Sequence, residues 1–363
     1  MPAFDSTTEW LRGEGNASDV VMSSRVRLAR NLAGMPFMGR TTRAQRGEIV
    51  RVCQQAIVRA AIGAKVGFAD LASIPAMDRA LLVERHLISQ QLSKGKKVVV
   101  GVSEPGGGED EPRAVAFSFP DERVSIMVNE EDHLRLQVIR SGLELTTALQ
   151  EAEAVDDRLE SMLEYAYSPR FGYLTACPTN VGTGLRLSVM LHLPALKITG
   201  NMEKVERAAK DMSLAVRGFY GEGSQAVGDL YQLSNQTTLG KPESVLLSEL
   251  EQEILPRVID YERAARRTLA GKRRAELEDQ CQRALGTLRH ARLMTTEESM
   301  QLLSLVRLGV LTQALPGIEA RTVNELVLLT QPAHLQKHVG RELGQDERRT
   351  ARAAMLRQRL GGA

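Results

Sequence analysis

Residues 20–28 read Val20-Val21-Met22-Ser23-Ser24-Arg25-Val26-Arg27-Leu28. An apolar entry leads into an alternation of basic and branched residues, so the segment predicts a strand. Strand parity then puts Arg25 and Arg27 on one face and Val26 and Leu28 on the other. Such a strand packs on its apolar side. On its other side, two planar and permanently charged guanidinium groups suit an anionic partner. Two surface arginines on an edge strand are the plainer alternative.

Working outward, helical patterns at 43–62, 78–92, 142–166 and 201–216 are interspersed with short runs rich in branched and aromatic residues at 98–102, Ala114–Phe119 and 124–129, which predict strands. Phe119-Pro120-Asp121-Glu122-Arg123 separates the last two and predicts a hairpin with Pro120 and Asp121 in its turn. Gly106-Gly107-Gly108-Glu109-Asp110-Glu111-Pro112 reads as a flexible loop tip. After Lys241-Pro242 the strand signals stop. Leu246, Leu250, Ile254, Tyr261, Ala265 and Leu269 recur at helical spacing, interrupted by Pro256. Thr295-Thr296-Glu297-Glu298 offers a capping box, and Asp346 is a candidate cap for a last, Arg-rich helix ending at Leu360. A mixed part over 1–240 and an all-helical part over 241–363 are expected.

Three further segments carry chemistry-bearing residues. Asn129-Glu130-Glu131-Asp132-His133-Leu134-Arg135, continued as a strand, puts Asn129, Glu131, His133 and Arg135 on one face and sends Leu134, Leu136 and Val138 to the core. Cys177-Pro178-Thr179-Asn180-Val181-Gly182-Thr183-Gly184-Leu185-Arg186 is dense in turn residues, and its glycines allow close backbone approach to a ligand. A lone cysteine is more often an inert small hydrophobe than a reactive thiolate. Arg217-Gly218-Phe219-Tyr220-Gly221-Glu222-Gly223-Ser224 has the composition of a hinged loop that brings charge to a site.

Composition removes several function classes. The 363 residues carry a net charge of +2, which argues against a generic nucleic-acid binder. Of the 47 basic residues, 37 are arginine, a bias that suits either a GC-rich genome or a need for anion clamps. No apolar run approaches the ~18 residues of a membrane span. The start has no signal-peptide pattern, and Cys53, Cys177 and Cys281 form no metal-ligand pair, so a cytoplasmic chain with reduced thiols and no dedicated metal cage is expected.

Together, and in this order, the four segments resemble the guanidino-kinase superfamily of arginine and creatine kinases over about residues 20–240. Over the whole chain the sequence resembles the McsB-type protein arginine kinases. Only 22 residues precede Ser23, where small-substrate enzymes carry a helical domain of roughly a hundred residues. Met190 stands where those enzymes usually have a histidine, and a helical C-terminal part follows instead.

The resemblance implies an α+β fold: an antiparallel sheet flanked by helices, similar to the glutamine synthetase catalytic core, followed by an all-helical C-terminal domain. It implies that Arg25, Arg27, Arg135, Arg186 and Arg217 clamp the phosphates of ATP, with Ser23, Ser24 and Val26 in the same strand. His86, Leu187, Ser188, Val189, Met190, Gly218, Phe219, Tyr220, Gly221 and Glu222 then line the nucleotide site. Glu131 and Glu222 would grip the acceptor guanidinium beside Cys177, and Mg²⁺ would arrive on ATP. The partners implied are proteins with exposed arginines, a second copy of the chain, a zinc-binding activator and an ATP-dependent protease; neither membrane nor nucleic acid is expected. An RDxxRA motif that reads phosphoarginine in such proteins is matched by Arg348, Arg352 and Ala353, but Arg349 replaces its aspartate. A small-guanidine kinase and a non-catalytic phosphoarginine-binding adaptor are the alternatives.

Overall fold

The strand expected at 20–28 is β1 (Val21–Arg30), and it lies at the centre of the molecule. The structure is a computed structural model that describes residues 8–95, 111–211, 214–218, 227–236 and 238–361; for Ala208, Lys210, Asp211 and Arg217 only the backbone is described. The run at 98–102 and the glycine loop up to Asp110 lie outside the described residues.

The other strands are β2 (Lys65–Asp70), β3 (Ala114–Phe119), β4 (Val124–Val128), β5 (Leu134–Ser141), β6 (Tyr167–Ser168), β7 (Gly172–Tyr173), β8 (Leu185–His192), β9 (Leu214–Arg217) and β10 (Leu230–Asn235). Eight of them form one antiparallel sheet in the order β2-β3-β4-β5-β1-β8-β10-β9, while β6 and β7 make a separate hairpin. The β3–β4 hairpin turns at Pro120 and Asp121, as the composition of that segment predicts. In the first part the helices are α1 (Arg43–Ala60), α2 (Ala76–Glu84), α3 (Gln90–Lys94), α4 (Leu145–Glu160), α5 (Pro194–Ile198) and α6 (Met202–Asp211). The helical spacing at 201–216 runs too far. Leu214–Arg217 is β9, because pairing with β10 overrides a local preference that only packing can decide.

From Glu243 onward the described chain is helical: α7 (Glu243–Ser248), a π-helical segment (Glu249–Ile254), α8 (Leu255–Lys272), α9 (Arg274–His290), α10 (Thr296–Leu311), α11 (Ala320–Leu329), α12 (Pro332–Val339) and α13 (Gln345–Leu360). Pro256 sits in the first turn of α8, where its missing N–H costs nothing, and the widened π turn precedes it. Leu246, Leu250, Ile254, Ala265 and Leu269 are buried, whereas Tyr261 is exposed. The Thr295 hydroxyl accepts from Glu298 N, one half of the expected box. Asp346 is not the cap of α13: that helix starts one residue earlier, after Gly344, whose N–H donates to Glu347 Oε2 at 2.7 Å.

The two faces of β1 have different fates. Val26 and Leu28 join a core with Leu136, Val138, Leu187 and Val189, covered by Ala148, Ala152 and Val155 from the i, i+3, i+4 stripe of α4. On the opposite face a smaller core (Leu81, Leu82, Leu87, Val115, Phe117 and Met127) packs α2 and α3 over one end of the sheet. The rest of that face holds the candidate site. Among the described residues no helix is long and apolar enough to cross a membrane.

Candidate active site

Cross-strand register gathers the arginines. Arg27 on β1 lies directly opposite Arg186 on β8 and Gln137 on β5. Arg25 lies opposite Ser188 and Ile139, and Ala29 opposite Arg135. Gln232 links position 217 of β9 to Met190 of β8. Residues directly opposite share a face, so four guanidinium groups drawn from three strands converge on one side of the sheet. The side chain of Arg217 lies outside the described residues.

Like charges packed this closely disfavour one another. Burial, together with the charges of Arg186 and Arg135, pushes Arg25 down to about 10. Arg27 falls well below its ordinary value through burial and the neighbouring guanidinium groups, and its Nε has no hydrogen-bond partner among the described residues. The hydroxyls beside them are weak company: Arg25 Nε donates to Ser188 Oγ at 3.4 Å and Arg186 Nη2 to Ser234 Oγ at 3.3 Å. A polyanion such as a triphosphate relieves this repulsion and fits the guanidinium forks.

Beside the arginines a cleft of about 280 Å³ is lined by Trp10, Ser23, Arg25, His86, Ile139, Ser188, Val189, Met190 and Gln232. His86 enters from the end of α2 with φ 60°, its ring edge-on to Trp10 at 4.8 Å. Burial, with Arg25 adding to it, lowers His86 to about 3 and keeps the imidazole neutral. Trp10, Ile139 and Gln232 were missed from sequence. Gln232 had a signal, being a polar position in the alternating run Tyr231-Gln232-Leu233-Ser234, and its Oε1 is buried with no hydrogen-bond partner among the described residues. A wider cleft of about 450 Å³ opens beside Asn129 and Glu130. Its arginines are already spent: Arg46 pairs with Glu111 at 3.2 Å, and Arg113 donates to the carbonyls of Leu92 and Glu111. The smaller cleft, lined by Arg25, is the one that adjoins the arginine cluster.

Glu131 reaches the arginine face by a route other than strand parity. Residues 129–133 form a tight turn between β4 and β5, in which Asn129 has φ 61° and its N–H donates to His133 O at 3.0 Å. Leu134, Leu136 and Val138 are buried as expected. The turn sets Glu130 and Glu131 against Arg135, each at 2.8 Å. Burial raises the Glu131 carboxyl, opposed by Arg135 and reinforced by Glu130 and Asp132. Burial works against the charge of Arg135, but the three surrounding carboxylates outweigh it and raise its value.

Cys177 is half-buried, with Sγ 3.1 Å from Thr179 Oγ1. The loop around it needs its glycines. Gly184 has φ +68°, and a Cβ there would lie 2.6 Å from Ala29 O. Ser24, Val26 and Leu187 do not join the site through their side chains: Val26 and Leu187 are in the helix-covered core, and the Ser24 hydroxyl donates to Gly142 O and accepts from Glu144 N. Phe219, Tyr220, Gly221 and Glu222 lie outside the described residues, while Gly218 is described and buried.

In the C-terminal part, Arg348 and Arg352 lie one turn apart on α13. Arg352 is buried and donates to the carbonyls of Thr330 (2.7 Å) and Met294 (3.0 Å), while Arg348 donates to Leu343 O at 2.7 Å. Arg349 points elsewhere, 3.5 Å from Asp346, and Ala353 is buried in the core.

Two family profiles match the chain: ATP:guanido phosphotransferase, C-terminal catalytic domain, over residues 48–265, and protein-arginine kinase McsB C-terminal domain over 274–363. The chain is 46% identical to a protein-arginine kinase of Symbiobacterium thermophilum, over 97% of this chain and 96% of the relative. It is 43% identical to a protein-arginine kinase of Moorella thermoacetica, over 99% of each. Among solved structures it is similar to lombricine kinase (26% identity, TM-score 0.54, covering 72% of this chain and 73% of that one). It is also similar to the duplicated taurocyamine kinase of Schistosoma mansoni with bound transition-state analogue components (25% identity, TM-score 0.58, 73% and 35%).

Proposed function

The chain belongs to the ATP:guanido phosphotransferase family, among its protein-arginine kinases, and on that premise we propose that it transfers the γ-phosphoryl group of ATP to arginine side chains of proteins. The observation that carries the reading is the cross-strand cluster Arg25–Arg27–Arg186–Arg135 with Glu131 at its border. Phosphoryl transfer passes through a loose transition state, so catalysis is mostly alignment and charge stabilisation, which fixed guanidinium groups supply. Among the described residues no three metal-ligating side chains converge. A magnesium ion arriving with ATP would supply further charge neutralisation.

The acceptor guanidinium is protonated, with a pKa above ~12, and attacks poorly until it loses a proton. As the N–P bond forms and the bond from γ-phosphorus to the bridging oxygen of ADP breaks, Glu131 takes that proton. Its raised carboxyl, in contact with Arg135, makes it a better acceptor than an exposed glutamate. Glu222 completes the grip on the guanidinium, and Cys177 lies beside it. The test is mass spectrometry under non-acidic conditions after Mg-ATP and an Arg-rich protein are mixed with the enzyme. Acid-labile phosphoarginine is expected, and its absence with the fold intact removes the reading. Rapid phosphorylation of free arginine in the same assay would favour a small-guanidine kinase instead.

The family resemblance extends the proposal. The chain divides near residue 240 into a catalytic and a helical domain, works in the cytoplasm as a homodimer, is switched on by a zinc-binding activator and marks proteins for an ATP-dependent protease. Arg348 and Arg352 supply the guanidinium pair of an allosteric phosphoarginine site, with Ala353 matching the motif and Arg349 standing in place of its aspartate. Arg352 is largely committed to carbonyls, so Arg348 carries the recognition. A phosphoarginine titration of wild type against Arg348→Ala tests this, and equal weak binding removes it.

A further inference from the structure

Two neighbouring residues where β1 ends, Arg30 and Asn31, hold the cysteine loop from both sides. Arg30 is paired with Asp156 at 2.6 Å; it donates to Thr183 O at 2.9 Å and lies 3.6 Å over the ring of Tyr173. Asn31 donates from Nδ2 to Leu174 O at 3.0 Å. The segment bearing Cys177 is thus tied down on either side of the thiol.

Asn31 also reaches the other way. Its Nδ2 donates to Asp132 Oδ1 at 2.7 Å, and its Oδ1 accepts from His133 N at 3.0 Å. Asp132 Oδ1 in turn accepts from Ala176 N at 2.7 Å, one residue before Cys177. His133 closes the frame. Its Nδ1 accepts from Leu32 N at 3.0 Å, so the proton sits on Nε2 and is donated to Pro36 O at 2.9 Å. Asn31, Asp132 and His133 are all buried. Both N–H groups and the oxygen of the Asn31 amide are used. The flipped amide would turn its oxygen onto the Asp132 carboxylate and the Leu174 carbonyl, so this orientation alone satisfies the network.

One strand thus carries the phosphate-facing Arg25 and Arg27, and the residue directly after it joins the Glu131 turn to the Cys177 loop. We infer that Asn31 is a positioning residue. It fixes the two acceptor-side groups relative to each other and to the arginine face, so that the guanidinium nitrogen meets the γ-phosphorus in line. This rests on the phosphotransfer reading above. Reacting atoms must be held about 3–3.5 Å apart, and a displacement of about 1 Å costs on the order of 100-fold in rate.

The experiment compares wild type with Asn31→Ala and Asn31→Asp. It measures transfer to an Arg-rich protein, ATP affinity from the fluorescence of the single tryptophan, Trp10, and alkylation of Cys177 by iodoacetamide. Cys53 and Cys281 are buried, so Cys177 is the reactive thiol. Loss of registration lowers kcat by at least about tenfold, leaves ATP affinity within about twofold and speeds Cys177 alkylation several-fold. Asn31→Asp keeps the side-chain volume and the acceptor for His133 N, but it loses both donors and opposes Asp132. Combining it with Asp132→Asn restores one donor–acceptor pair and recovers part of the rate. Wild-type rate and thiol reactivity in Asn31→Ala overturn the inference. So does a loss of kcat that tracks a loss of ATP affinity. An inactive wild type removes the phosphotransfer reading only, because the alkylation comparison still decides whether Asn31 holds the loop.

Discussion

At the scale of the residue, Glu131 bears the sharpest expectation. Glu131→Gln keeps the shape and removes the proton acceptor, so transfer falls by about 10²–10⁴-fold. ATP binding, read from Trp10 fluorescence, is unchanged; full turnover in this variant eliminates Glu131 as the base. Because burial and the charge of Glu130 hold the Glu131 carboxyl above its ordinary value, the acid limb of the kcat profile lies above that of an exposed glutamate, at about 4.3. Glu130→Gln withdraws one repelling charge and frees Arg135 to act on Glu131 more strongly, so that limb moves to lower pH. A limb that stays in place assigns it to another group. The arginines of this site were legible because each sits in a short alternating run. Asn31 was not, because its meaning lies in two segments 101 and 143 residues away and in the hydrogen bonds that join them.

At the scale of the element, local chemistry read well wherever it decided the outcome alone. The β3–β4 hairpin, the stripe of α4 and the Thr295 cap all follow from a few adjacent residues. The 129–133 segment read poorly as a strand, since a residue in the left-handed region turned the chain where apolar and polar positions still alternated. The docking of α12 on α2 had no sequence signal either. Glu84 accepts from Ala333 N at 2.7 Å, from His334 N at 2.9 Å and from His334 Nδ1 at 2.6 Å, and its neighbour Arg85 pairs with buried Glu122 at 2.8 Å. Glu84→Ala leaves three buried donors without a partner and costs about 3 kcal/mol, measured as a shift in the denaturation midpoint. An unchanged midpoint would mean that apolar contacts alone hold α12. His86 follows Arg85 directly, so the same variant also tests whether the cleft it lines feels the C-terminal helices.

At the scale of the whole molecule, four of the six histidines are depressed: His133, His192 and His334, which are buried, and His86, which is half-buried. Burial is the leading cause in each. The unfolded chain binds their protons at about pH 6.5, whereas the folded chain resists. Their contribution to stability is therefore complete above that value and is lost as pH falls from about 6.5 toward the folded values. The expected outcome is a melting temperature that drops between pH 7 and pH 5; a flat or rising curve contradicts it. The core that such unfolding destroys is shared, since Trp10 and Leu28 belong to the same apolar cluster as Leu303 and Leu356. The arginines have one more consequence. An enzyme that modifies arginine is surrounded by potential targets on its own surface, and burial sorts them. Arg30, Arg266, Arg307 and Arg352 are buried, with their donors given to carboxylates and carbonyls. They are immune because they cannot be offered to a second active site. Arg51, Arg283 and Arg321 have side chains 56%, 78% and 65% exposed. Self-inflicted marks, mapped after incubation with Mg-ATP, fall on that exposed set, and the fold itself thereby separates what the enzyme is from what it acts upon.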